Sequence, residues 1–212
     1  MKSTHKARSD VEPEGRRERN KREKQTRIIE AARRLFVAQG YTSTTAQQIA
    51  EEAEVAGGTL FLYAKSKEDL LVLVFTKEMR ELIETASRRI DPDAPLLAQV
   101  SMLFKRFIDY HARDVGIARE LIRELTFLSN AERIGQVNGI VSSIVGKLAV
   151  FARRAIERGD LAADTDPVLL ARCLFSIYYQ QLQTWLSGYV PRRAFERHLG
   201  VMLADVISGK RI

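Results

Sequence analysis

The chain has 212 residues, 45% of them hydrophobic and 29% charged, with a formal net charge of +7; this is the composition of one or two globular domains with a sizeable core. A single cysteine, Cys173, excludes an intrachain disulfide and a cysteine-based metal site, and its place on an apolar helical stripe predicts a buried core residue. The sequence has no continuous apolar run approaching the roughly 18 residues of a membrane span, and the charged N-terminus lacks an apolar signal core, so a cytoplasmic location without membrane partners is expected.

Residues 1–15 mix charges with Pro13 and Gly15 and show no apolar period, which predicts a disordered tail. Arg16, Arg17, Arg19, Lys21, Arg22, Lys24 and Arg27 follow. They fit either an arm on phosphates or a solvated helix start. A first helix is expected from about Arg19 to Gln39, with Ile28, Ala32, Leu35 and Phe36 inside and Gly40 ending it. Thr44 to Leu70 then reads as two short helices, a tight turn and the start of a long helix. Thr45 and Gln48 have capping-box spacing, and so do Ser66 and Asp69. Ala46, Ile49, Ala50 and Ala53 form the buried stripe between them. The turn falls at Glu54-Val55, and the second short helix spans about Gly57 to Tyr63. This is a helix-turn-helix, whose second helix enters a major groove. Residues 1–67 hold 14 Lys and Arg against 9 Asp and Glu, a net +5, whereas residues 68–212 are near neutral. That asymmetry is the footprint of a phosphate-binding domain on a neutral one.

The long helix from Lys67 carries Leu70, Leu71, Val74, Phe75, Met79 and Leu82 toward a core. Its N-terminus and Lys67 together suit a phosphate. Pro92 and Pro95 break the chain before a fifth helix ending near Arg113. A sixth spans Val115–Leu128. A seventh, capped by Asn130, runs to Arg158 with Ile134, Val137, Val141, Ile144, Val145 and Leu148 inside. Asp166-Pro167 opens an eighth helix to Ser187, and a ninth spans Arg192–Ser208. With no period-two strand, the fold class is all-α, of about nine helices: a tail over 1–15, a helix-turn-helix domain over 16–66 and a helical domain over 67–212. His5, His111 and His198 lie far apart in sequence. The sequence shows no paired metal ligands and no phosphate loop, so neither a cofactor nor a metal nor an enzymatic reaction is indicated. Phe104, Phe107, Tyr110, His111, Phe127, Tyr178 and Trp185 are candidates for a cavity between helices holding a small apolar ligand. The eighth helix has too many apolar residues for one stripe. Phe175, Tyr179 and Leu182 on it, with Leu199, Met202, Leu203 and Val206 on the ninth, are candidates for a subunit interface.

Gly40-Tyr41, Thr44-Thr45, Ile49-Ala50, Gly58-Thr59-Leu60 and Lys65-Ser66-Lys67 stand in one register over Ile28–Leu71. This segment resembles the DNA-binding domain of the tetracycline-repressor (TetR) family of bacterial transcription regulators. The resemblance implies a homodimeric regulator, commonly a repressor, on double-stranded DNA with a palindromic operator, released by a ligand in the second domain. It also implies that the last two long helices form a four-helix bundle across a two-fold axis. In that frame Thr44, Thr45, Gln47, Tyr63 and Lys67 hold phosphates. Gly57 and Gly58 let the backbone approach DNA, and Thr59, Phe61 and Leu62 face the groove. The sequence departs from the family where Glu54 replaces a common Gly; a positive φ there would cost roughly 1 kcal/mol. Ala56, Gly57, Phe61 and Ala64 depart too, leaving the reading helix poor in long polar side chains. Groove shape and contacts to thymine methyls then carry more weight. The alternative is a helical ligand-binding protein or enzyme with a vestigial DNA-binding domain.

Overall fold

A computed structural model describes residues 15–210; the expected tail lies outside the described residues apart from Gly15. The described residues form nine α-helices and no strands: α1 (Arg16–Gln39), α2 (Ala46–Glu52), α3 (Gly57–Leu60), α4 (Lys67–Ser87), α5 (Leu96–His111), α6 (Val115–Thr126), α7 (Ala131–Glu157), α8 (Pro167–Leu186) and α9 (Arg192–Ser208). Their ends follow from local chemistry. Thr45 and Gln48 make the full reciprocal capping box. Asp114, Asn130 and Asp166 each accept first-turn amides, the last with Pro167 opening the helix. Three helices end in the paired bonds of a Schellman motif. Gly159 and Gly188 occupy the left-handed position in two of them, at φ +78° and +84°. In the third, after α2, Glu54 takes it at φ +54°, with Glu54 N bonded to Glu51 O and Val55 N to Ala50 O.

Helices α1 and α2 pack together, α3 packs on α2, and α1 also packs on α4. The rod α4 continues into the second group of helices, touching α5, α6 and α7, while α8 lies between α7 and α9. Seven consecutive residues of α4, Leu70 to Thr76, are buried. A helix turns 100° per residue, so such a run is enclosed on every side. The two parts therefore share one continuous apolar core through α4.

Several expectations shift. Helix α1 begins a turn earlier, at Arg16, and α6 ends at Thr126. On α7 the buried line is Arg133, Ile140, Ile144 and Leu148, while Ile134 is exposed. Cys173 is exposed, because α8 turns Leu170, Leu174, Tyr178, Leu182 and Leu186 inward instead. Among the described residues α7 alone has the length and hydropathy to cross a bilayer, at a mean hydropathy of 1.4; here it packs against α4, α5 and α8.

Candidate nucleic-acid interface and ligand cavity

The reading surface is built on the α2–α3 turn. Leu60 is fully buried and anchors α3, which turns Phe61 and Leu62 outward, 53% and 84% exposed. Thr59 and Tyr63 are half-buried beside them. Gly57 and Gly58 are exposed, and a Cβ on either would meet no atom within 4 Å. Nothing inside the chain requires glycine there. Gln47 is also exposed, its amide donating to Glu51 Oε1 at 3.0 Å.

Two proposed phosphate holders are engaged internally. Thr44 is buried; its hydroxyl donates to Gly40 O at 2.8 Å and accepts from Gln39 Nε2 at 3.3 Å. It fixes the α1–α2 turn rather than presenting a donor. The Thr45 hydroxyl accepts from Gln48 N at 3.2 Å, although its side chain is at the surface. Lys67 Nζ donates to Tyr41 O at 2.9 Å and Thr42 O at 3.3 Å and lies 4.4 Å from the centre of the Tyr41 ring. An ammonium has three donors, so one remains for a phosphate. The first turn of α4 already holds two acids: Glu68, which accepts from the Tyr41 hydroxyl at 3.1 Å, and Asp69. Burial and then the Glu68 charge push the Tyr41 phenol above its ordinary range. Bonds from the Glu68 amide and the Ser66 hydroxyl hold the Glu68 carboxyl below its own. Ser66 accepts from Asp69 N, but the Asp69 carboxylate turns to Lys65 N at 2.9 Å instead of closing the second capping box. Further up α1, Arg33 pairs with Glu78 at 2.6 Å and Arg34 with Glu52 at 2.9 Å, so these charges hold α1 to α4 and α2.

The second site is an apolar cavity of about 230 Å³ enclosed by α4 to α8. Phe75 and Met79 come from α4, Phe107 and His111 from α5, Ile122 and Leu125 from α6. Val137, Ile140, Val141 and Ile144 come from α7, and Phe175, Tyr178, Tyr179 and Leu182 from α8. Of the aromatic candidates, Phe107, His111 and Tyr178 line it. Phe104 stands behind it, stacked on Tyr178 at 4.5 Å between ring centres. Tyr110 faces a smaller crevice between α1 and α4–α6, its hydroxyl donating to Glu78 at 2.8 Å. Phe127 is 83% exposed, and Trp185 is stacked on Phe195 at 5.2 Å, in the core. The aliphatic walls were not distinguishable in sequence from ordinary core. Burial, with no opposing charge, draws the His111 imidazole down to about 4, so it is neutral near pH 7.

The interface candidates divide. Leu182, Leu199 and Leu203 are closed inside the protomer, and Phe175 and Tyr179 line the cavity. Val206 is half-buried and Met202 is 39% exposed. The outward apolar surface of α8 and α9 lies elsewhere, at Leu169 (60%) and Val201 (64%).

Arg133 joins the two sites. It sits in the first turn of α7, one turn before Val137, and is 2% exposed. Its Nη2 donates to the Tyr63 carbonyl just after α3 at 2.5 Å, and its Nη1 donates to Gln136 Oε1 at 3.2 Å. Its Nε lies 3.7 Å from Asp69 Oδ1 at the start of α4. These contacts draw residue 133 inward and turn Ile134 to the surface. The signal in sequence was one arginine in line with Val137, Ile140 and Ile144.

A basic, helix-turn-helix-bearing end sharing a core with a cavity-bearing helical bundle defines a ligand-responsive DNA-binding regulator. The family model described as "Bacterial regulatory proteins, tetR family" matches residues 28–74. The fatty acid metabolism regulator protein of Bacillus subtilis is 28% identical over 170 residues, covering 80% of this chain and 87% of its own. The repressor KstR of Mycobacterium tuberculosis is 26% identical over 189 residues, covering 88% and 80%. Among solved structures, the repressor FadR of Thermus thermophilus, in complex with lauroyl-CoA, superposes with a TM-score of 0.70 at 24% identity, covering 89% of this chain and 95% of its own. The chain belongs to the TetR family of bacterial regulatory proteins. It is a DNA-binding transcriptional regulator that acts as a homodimer and responds to a small ligand.

Proposed function

We propose that the chain is a cytoplasmic repressor, not an enzyme, whose two α3 helices read the halves of a palindromic operator. A ligand with a long apolar body, of the fatty-acyl thioester class, releases it. The observation that carries this reading is the apolar cavity whose α7 wall also supplies Arg133 to the end of α3. The ligand class draws on the Bacillus subtilis relative and on the lauroyl-CoA held by the Thermus thermophilus protein. Gly57, Gly58, Phe61 and Leu62 would meet the groove, with Thr45, Gln47 and the third donor of Lys67 at its phosphate edges and Thr59 and Tyr63 flanking. Leu169 and Val201 would face the partner subunit across the two-fold axis, with Met202 at the margin.

Selection of bound sequences from a random duplex pool at roughly physiological salt tests the first half. An enriched palindrome is expected, and recovery of unselected DNA would refute sequence reading. Lauroyl-CoA titrated into the complex with the selected duplex tests the second half. Release is expected; an operator affinity unchanged at saturating lauroyl-CoA would exclude the ligand class.

A further inference from the structure

The cavity wall is almost entirely hydrocarbon, yet two of its side chains carry polar atoms without a protein partner: His111 Nδ1 and the Tyr178 hydroxyl. Both residues are sealed, at 5% and 3% exposure. A buried polar group left unpaired costs about 1–3 kcal/mol, so a wall needing bulk alone would be better made with Phe at 178 and Leu at 111. Neither group is loosely placed. Tyr178 is stacked on Phe104 and meets the edge of Phe107 at 5.9 Å between ring centres. The His111 ring lies 6.5 Å from Phe75 and 5.2 Å from Tyr110. Tyr179, by contrast, bonds through its hydroxyl to Thr126 and Gln183. The lining includes no Lys, Arg, Asp or Glu, so a carboxylate or ammonium brought inside would be an unpaired buried charge, which is far costlier than an unpaired neutral dipole.

We infer that the enclosed part of the ligand is an apolar body bearing one uncharged oxygen, a carbonyl or hydroxyl, which accepts from the Tyr178 hydroxyl and meets the His111 ring nitrogen. This rests on the reading of the cavity as the effector site and adds the chemistry it selects. A plain hydrocarbon leaves both polar atoms unpaired. A free carboxylate brings a charge with no counter-charge. A site built to bond an oxygen discriminates against the analogue lacking it because its own groups are then stranded.

Three small probes of one shape separate these cases: ethylbenzene, acetophenone and benzoate, titrated calorimetrically into the full-length protein. Ethylbenzene is the most readily desolvated and would lead in a purely hydrocarbon cavity. The expected order has acetophenone at least about tenfold tighter than ethylbenzene, with benzoate unbound. Tyr178→Phe, which keeps the stack on Phe104, should reverse the first two. Ethylbenzene equal to or tighter than acetophenone in the unmodified protein would overturn the inference while leaving the cavity a ligand site. So would benzoate binding best, or an order that Tyr178→Phe leaves unchanged. Failure of all three to bind would remove the cavity reading itself.

Discussion

Replacing Arg133 with Met keeps an unbranched side chain and removes the bond to the Tyr63 carbonyl, the bond to Gln136 and the approach to Asp69. A hydrogen bond with a charged partner contributes about 1.5–3 kcal/mol. Part of that is offset because the guanidinium is no longer desolvated. Asp69 keeps the Lys65 amide and stays satisfied. A net loss of about 1–3 kcal/mol follows, or roughly 2–4 °C of Tm per kcal/mol for a chain of this size. The sharper effect falls on coupling. Ligand and operator influence each other by about 1–3 kcal/mol in typical regulators, a factor of roughly 5–150. If Arg133 carries the influence, that factor falls below about threefold in Arg133→Met, although ligand and operator each still bind alone. Fluorescence anisotropy on the selected operator, with and without saturating ligand, reads one side. Calorimetry of ligand binding with and without operator reads the other, and linkage requires the same factor from both. A folded variant that releases its operator by the unmodified factor would refute the role of Arg133.

Glu54→Gly should raise stability by about 0.5–1 kcal/mol in urea unfolding, because Glu54 holds a left-handed conformation at φ +54° that glycine adopts freely. Its contact with Arg27 at 3.6 Å is exposed and contributes little against this; Glu54→Ala, which keeps a Cβ, should gain nothing. Gly57→Ala or Gly58→Ala should stabilise the free protein by up to about 1 kcal/mol, since the Cβ meets open space. The same Cβ should weaken operator binding; unchanged affinity would place these residues away from DNA. His111 is drawn from 6.5 to about 4 by burial. The unfolded chain therefore binds more protons between those values, and stability contributed by the neutral ring is complete above about pH 6.5 and lost as pH falls toward 4. The loss is on the order of 3 kcal/mol. His111→Gln should flatten that part of the stability profile relative to the unmodified protein, and parallel profiles would show that His111 is not the group responsible.

The helices were legible because caps and stops are local. Thr45 with Gln48, Asn130, and Asp166 with Pro167 name their own helix starts, and each is seen at the place its spacing implied. The strain at Glu54 was legible too, since a family glycine marks the position. What is not local was misread. Cys173 and Ile134 sit on apolar stripes yet face outward, because tertiary contacts set the rotation of α7 and α8 within a few tens of degrees that periodicity leaves open. Weight on aromatic residues found Phe107, His111 and Tyr178 but also drew in Phe127, which is exposed, and Trp185, which stacks in the core. Thr44 carries a hydroxyl on the right segment, but only the fold shows it turned back onto Gly40.

The two helices that wall the cavity also meet at its DNA-facing end, and this geometry sets how a ligand acts. Phe75 on α4 lies six residues beyond Asp69, and Val137 on α7 lies four beyond Arg133. At 1.5 Å per residue the cavity begins about 6–9 Å along the helices from the clamp. A body that wedges α4 from α7 therefore acts close to the contact it must break. The bond to the Tyr63 carbonyl is 2.5 Å long and the approach to Asp69 is 3.7 Å. A further separation of about 1 Å takes both beyond hydrogen-bonding range. Helix α4 cannot absorb that strain by rolling, because Leu70 to Thr76 are buried on every side. The displacement is passed instead to the end of α3, which Arg133 holds. The ligand must then favour the opened state by more than the clamp stabilises the closed one, because it shifts the balance only by its difference in affinity for the two.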